Sequence, residues 1–224
     1  MAFIIDGSTG IATVDGSVSA PSQRGQDTNS GISYAADTIK FSTNGVERMA
    51  ITNSGVTGTG IGAGKVLQVQ SSIKKDVTSF DLSSTYFSNS TNTGIQVSIT
   101  PSNASNKILL FGMINVDIAG EQFNIGVVFD KAGSILNDAV GDASGSRKRV
   151  TALGSGADHS QYAPTINLSY LDTAGGTSAI TYGLAVNNPS SISRTIYINR
   201  SVTDSNDVYG RRAVSTITAM EIEV

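Results

Sequence analysis

The sequence predicts an all-β protein. Three observations carry that expectation. Apolar and polar residues alternate over short runs, the runs are parted by Gly, Asn, Ser and Pro, and no window of a dozen residues shows the 3.6-residue period of an amphipathic helix. Only 15% of the 224 residues are charged and 6% are aromatic, while Ser, Thr, Asn and Gly abound. Such a composition suits strands whose outer surface is held by hydroxyls and amides.

Taken in order, residues 1 to 36 read as irregular. Phe3, Ile4 and Ile5 offer one short strand, but Asp6-Gly7, Asp15-Gly16, Pro21, Gly25 and Gly31 interrupt the rest of the segment. Ile11, Val14, Val18, Ile32 and Tyr34 are scattered. Two readings remain, a disordered tail or an extended arm ordered against a partner. The arm is preferred, because the hairpin after it needs a partner surface, and ~30 extended residues reach about 100 Å.

Residues 38 to 51 predict that hairpin. Ile39 and Phe41 alternate with polar residues, Asn44-Gly45 turns the chain, and Met49 and Ile51 alternate on the return. A two-residue Asn-Gly loop sets Phe41 opposite Arg48 and splits the apolar side chains between faces. A three- or five-residue loop pairs Phe41 with Met49 and Ile39 with Ile51, on one side, and is preferred. Four apolar side chains on two strands make no core. Ile39, Phe41, Met49 and Ile51 are therefore the expected assembly residues. Gly55 to Gly64, with glycine at 55, 58, 60, 62 and 64, reads as a linker. The expected organisation is an extended arm, hairpin and glycine-rich linker over 1–64, serving assembly or attachment, and a β domain over 65–224.

From Val66 the pattern changes. Val66, Leu67 and Val69 open a strand, and Ile95, Val97 and Ile99 alternate until Pro101. Lys107 to Val116, KILLFGMINV, is so continuously apolar that it reads as buried on both faces. Phe123 to Phe129 is another strand, and Lys131-Ala132-Gly133-Ser134 turns the chain. Ile166, Leu168 and Tyr170 alternate, as do Ile180, Tyr182, Leu184 and Val186, and then Ile196 and Ile198. The last strand carries Val214, Thr216, Thr218, Met220, Ile222 and Val224 on one side and Ser215, Ile217, Ala219, Glu221 and Glu223 on the other. Six to eight closely spaced strands predict an antiparallel β-sandwich, with a jelly-roll topology favoured.

Composition narrows the chemistry. A net charge of −3 and a pI near 5.0 argue against nucleic acid as a partner. Cysteine is absent, which removes disulfides, thiolate zinc sites and a cysteine nucleophile. No segment resembles a signal peptide or approaches the ~20 apolar residues of a membrane helix, so a soluble chain outside the usual export route is expected, with no membrane partner. His159, between Asp158 and Ser160, is the single histidine, and three consecutive residues do not converge as a triad. Gly58 to Lys65, GTGIGAGK, superficially suggests a phosphate loop, but Thr59 stands where its first glycine belongs and Val66 where Ser or Thr would bind magnesium.

Asp138, Asp142, Asp204 and Asp207 read as solvated loop carboxylates, without the spacing of a calcium loop. Arg147-Lys148-Arg149 and Arg211-Arg212 read as edge-strand charges that deter stray pairing. Tyr86-Phe87 and Tyr209 are the candidates for stacking on a sugar. No catalytic, cofactor or metal residues are expected, and the protein reads as noncatalytic.

Several stretches carry a resemblance. IDGSTGIATVDGS and APSQRGQDTNSGISYAADTIKFSTNGVERMAITNSG, above all Asp37-Thr38-Ile39 with Phe41-Ser42-Thr43 and Glu47-Arg48-Met49 with Ile51, resemble N-terminal segments of tail fibres and related virion proteins of tailed bacteriophages, especially phages of aquatic bacteria. IQVSITPSNASNKILLFG, YLDTAGGTSAITYGLAV, TIYINRS and STITAMEIEV are similar to the β domain often joined to them. The likeness covers most of the chain, with a gap across about 117 to 165. It implies a noncatalytic virion structural protein, commonly a homotrimer, assembled in the host cytoplasm: a tail fibre or tail-associated adhesin. Implied partners are sister copies, other tail or capsid proteins and, for an adhesin, a host surface glycan. This chain lacks a long repetitive shaft and an evident histidine-metal tip, so a capsid decoration, or cement, protein stands as the alternative. A glycan-binding or depolymerase module comes behind both.

Overall fold

A computed structural model describes residues 15–58, 64–83, 87–120, 124–155, 163–208 and 211–224. The chain divides between Ala63 and Gly64 into two compact units.

In the first unit, strands β1 (Gly16–Ser17) and β2 (Ala20–Pro21) form a short ribbon. Strands β3 (Gln23–Arg24), β4 (Gly31–Ala35), β5 (Thr38–Thr43), β6 (Val46–Thr52) and β7 (Gly55–Thr57) then form an antiparallel meander in the order β3-β4-β5-β6-β7. The hairpin is thus flanked on both sides. Residues 31 to 35, read from sequence as part of an arm, pair with β5, and the start of the glycine-rich stretch pairs with β6. The signal in each is only a few residues of alternation. A neighbouring strand makes it a strand by taking its backbone hydrogen bonds.

The pairing of Phe41 with Met49 and Ile39 with Ile51 is present, but the preferred longer loop is not. Thr43 pairs with Val46 around a two-residue turn, and Asn44 and Gly45, at φ of 52° and 69°, give it the type I′ shape that suits strand twist. Ser42 pairs with Glu47 and Phe41 with Met49, so Arg48 is bulged out. One extra residue on one strand shifts the register by one and does what a longer loop was expected to do.

The second unit contains β8 (Val66–Lys74), β9 (Thr78–Leu82), a one-turn helix α1 (Ser90–Thr93), β10 (Gln96–Ile99), β11 (Lys107–Ile118), β12 (Asn124–Lys131), β13 (Ser134–Ile135), β14 (Ala152–Ser155), β15 (Thr165–Thr173), β16 (Ile180–Asn187), β17 (Arg194–Ile198) and β18 (Ser215–Ile222). Eight of these nest as one long antiparallel hairpin rolled on itself. β8 pairs with β18, β10 with β16, β11 with β15 and β12 with β14. Alternate nested pairs fall in opposite sheets, giving β8-β18-β11-β15 on one side and β10-β16-β12-β14 on the other, which is jelly-roll connectivity. β17 pairs with residues 116–118 of β11, beyond the stretch that pairs with β18, and β9 lies outside β17. Where the strands change over, Asn199 (φ 63°) donates from Nδ2 to the carbonyls of Lys74 and Asp76 and accepts the Ser215 hydroxyl at 2.6 Å. Its amide satisfies backbone and hydroxyl groups that would otherwise be buried unpaired.

The core lies between the two sheets and is made by inward-facing alternate residues. Ile108, Leu110 and Ile114 of β11, Val127 and Phe129 of β12, Leu184 and Val186 of β16 and Ile217 of β18 are fully buried. Gly183 admits α1, since a Cβ there would collide with Ser90. The expectation that Lys107 to Val116 is buried on both faces does not hold. Ile108, Leu110, Ile114 and Val116 are buried, but Phe111 on the outer side is 44% exposed. The second sheet covers only one face.

Candidate assembly surface

The face of the N-terminal sheet is set by its register. Tyr34 pairs with Ile39, Ile39 with Ile51 and Ile51 with Val56, while Ile32 pairs with Phe41 and Phe41 with Met49. Cross-strand partners point to the same side. Ile39, Phe41, Met49 and Ile51 therefore share one face, which Val46, opposite Thr43, also joins, and Ile32, Tyr34 and Val56 extend it to eight side chains. The three additions were missed because each sits in a segment with too few alternating residues to announce a strand.

This face is open. Ile39, Ile51 and Val56 are 38, 40 and 49% exposed, and Ile32, Tyr34, Phe41 and Met49 are half-buried. On the opposite face the middle is small and buried, Ser33, Ser42 and Ala50 with Pro21 of β2, while Lys40, Glu47 and Thr57 at its margins stay in contact with solvent. The Ser22 hydroxyl donates to the Ile32 carbonyl at 3.2 Å, and Tyr34 N–H donates to the Asp15 carbonyl at 2.7 Å. Lys40 and Glu47 pair at 3.1 Å. Covering one half-exposed aliphatic side chain is worth about 1 kcal/mol, so a partner spanning the open face gains several.

The jelly roll holds three buried polar clusters, each tying together segments far apart in sequence. Glu221 points into the core side of β18. Its Oε1 accepts from Ser102 N (2.7 Å), Ser102 Oγ (2.7 Å) and Asn106 Nδ2 (2.6 Å), and its Oε2 from Gln68 Nε2 (2.6 Å). Burial alone would raise its pKa, but the bonds from Gln68, Asn106 and Ser102 outweigh burial and bring the carboxyl down to about 2. In the same cross-strand row, on the other side of Ile108, Asp172 Oδ2 accepts from Lys131 Nζ and from Tyr182 OH, both at 2.6 Å. Burial, reinforced by Asp172, pushes the Tyr182 phenol far up. Asp117 is also buried; burial raises its pKa against the partial opposition of N–H donors from Val202 and Ile118.

The remaining sequence candidates are dispersed. His159, Tyr86, Tyr209 and residues 59–63 of the glycine run lie outside the described residues. Lys65 pairs with Glu223 at 2.7 Å. Asp138 sits in the short 3-10 turn at 137–139, and no three His, Asp or Glu side chains converge as a metal cage among the described residues. Arg147, Lys148 and Arg149 lie in an exposed loop and not on an edge strand, with the Arg147 guanidinium on Ser144 Oγ and that of Arg149 on the Gly141 carbonyl. Arg212 likewise stands outside the named strands and pairs with Asp204 at 2.7 Å.

Phe87 bridges to Asn187 and lines a cleft of about 480 Å³ with Asp81, Asn89, Asn92 and Ile135. Asn89 and Asn92 cap α1 reciprocally, and Asp81 accepts the Thr195 hydroxyl at 2.6 Å. Asp81 is the one carboxylate among the described lining residues, whereas glycosidic cleavage uses two. Neither a protein-family model nor a curated protein matches this sequence.

Proposed function

We propose that this protein is a noncatalytic structural component of a bacteriophage virion, a homotrimeric tail fibre or tail-associated adhesin whose N-terminal sheet joins sister copies. The observation that carries the assembly role is the open face of eight apolar side chains, backed by a face whose buried middle is made of small residues. A single-layer sheet with an open apolar side lacks a full core of its own until that side is packed. Closed cyclic symmetry lets each copy complete the next and leaves no surplus face. The virion assignment is supported by the resemblance of residues 37–51 and of the late strands to tail-fibre segments. The buried polar clusters fit this reading, because all three serve as internal fasteners.

Light scattering should return about three times the chain mass of 23.1 kDa. A stable monomer would remove the trimer. Imaging of an assembled particle should then show few copies at the tail. Copies spread over the capsid in register with its subunits would instead make this a decoration protein.

A further inference from the structure

The outer face of the β8-β18-β11-β15 sheet is not built like a solvent face. Val69, Met220, Leu109 and Leu171 stand opposite one another across all four strands, forming an unbroken apolar row. In the rows on one side of it, Phe111 lies between Thr218 and Ser169, and Ile73, Thr216, Met113 and Asn167 form the next row. Val69, Ile73, Phe111 and Leu171 are between 44 and 58% exposed. The only charge in these rows and the row below is Lys107, at the rim, whose ammonium donates to Thr173 Oγ1 at 2.7 Å. An apolar stretch of this size is often the functional one on a protein's surface.

We infer that this face turns toward the symmetry axis of the assembled protein and packs there against the neighbouring copies, with Phe111 nearest the axis. The inference rests on the reading that the protein is a homo-oligomer. Charge argues for it: a nucleic acid or a charged peptide finds no counter-charge in the middle of this face, while two copies bring no like charges together. Shape argues for it as well. Phe111 projects beside a shallow depression of about 350 Å³ lined by Met113, Asn167, Ser169, Thr216 and Thr218, so knob and recess lie side by side on one flat sheet. About a threefold axis each Phe111 knob meets the recess of the next copy, a heterologous contact that closes on itself.

Area decides what kind of contact this is. Four strands ~4.8 Å apart and about seven residues long give a footprint of roughly 450 Å². Stable complexes bury ~800 Å² per partner. The face is therefore a second contact, formed once the N-terminal sheets have joined the copies and raised the local concentration of the jelly rolls to the order of millimolar.

The absence of cysteine makes the test clean. In the full chain, Phe111→Cys is expected to give disulfide-linked pairs within the assembled species on mild oxidation. Leu153→Cys, at an exposed position on the other sheet, is expected to give none. No linkage at 111, or equal linkage at both positions, overturns the inference. A second variant, Val69→Lys with Leu171→Lys, is expected to raise the concentration needed for assembly at least tenfold with the unfolding transition unmoved; an unchanged assembly curve also overturns it. Ile39→Lys with Ile51→Lys addresses the N-terminal contact separately. If that variant stays assembled while the Val69/Leu171 variant comes apart, the N-terminal reading falls, and with it the order of assembly given above, while the packing of this face against its copies stands. The reverse pattern leaves the N-terminal reading and removes this one.

Discussion

Phe41 lies directly opposite Met49 across the β5–β6 pair, although the turn between their strands has only two residues, because Arg48 is bulged out of the ladder. The Arg48 guanidinium is anchored by Nε donating to Thr43 Oγ1 at 2.7 Å. The bulge keeps every large apolar side chain of the hairpin on the open face.

Removing the bulged residue should therefore be tolerated. With Arg48 deleted, Thr43–Val46, Ser42–Glu47 and Phe41–Met49 pair in an uninterrupted ladder. Cross-strand NOEs between Phe41 and Met49 should persist, with a stability change within about 1 kcal/mol. Loss of those NOEs would show that the bulge sets the register and does not merely accommodate it.

Lysine at both Ile39 and Ile51 should leave the jelly roll folded and lower the solution mass from about three chains toward one. Analytical ultracentrifugation reads this directly. The cause is desolvation: covering a lysine ammonium without a partner costs more than the apolar contact returns.

Glu221 gives the protein an acid-sensitive joint. Its folded pKa of about 2 lies below its ordinary 4.5, so the stabilisation is complete above about pH 4.5 and drains away as pH falls toward 2. Glu221→Gln places an amide donor at one of the two oxygen positions, against the donor of Gln68 or against those of Ser102 and Asn106. It should cost about 2 kcal/mol at neutral pH and flatten the acid limb of the stability profile. A variant whose melting temperature tracks the parent between pH 5 and pH 2 would contradict the assignment.

Tyr182→Phe removes one of the two donors to Asp172 but leaves Lys131 in place. The expected loss is about 2 kcal/mol in urea unfolding, with assembly unaffected. Gly183→Ala should be comparably costly for a different reason: its methyl group would occupy the space of Ser90, at about 1–3 kcal/mol for overpacking, and should loosen α1.

Much of this molecule is a direct reading of alternation. A period of two dictates strands, and the dense inward rows of Ile95, Val97 and Ile99, of Ile108 and Leu110, and of Tyr182, Leu184 and Val186 specify a two-sheet core. The partnership of Phe41 with Met49 also comes from alternation alone, since only that register gathers the apolar residues. Other features depend on groups that meet only after folding. In β18 the side with Met220 and Ile222 looks no less apolar than the side with Ile217 and Ala219, yet the latter is buried and carries a carboxylate inward. That choice is set by Gln68, Ser102 and Asn106, whose donors satisfy Glu221 across as many as 153 residues of separation. Period-two patterning says which side chains share a face. Which face is covered is decided by what packs there, and a linear pattern does not carry that information.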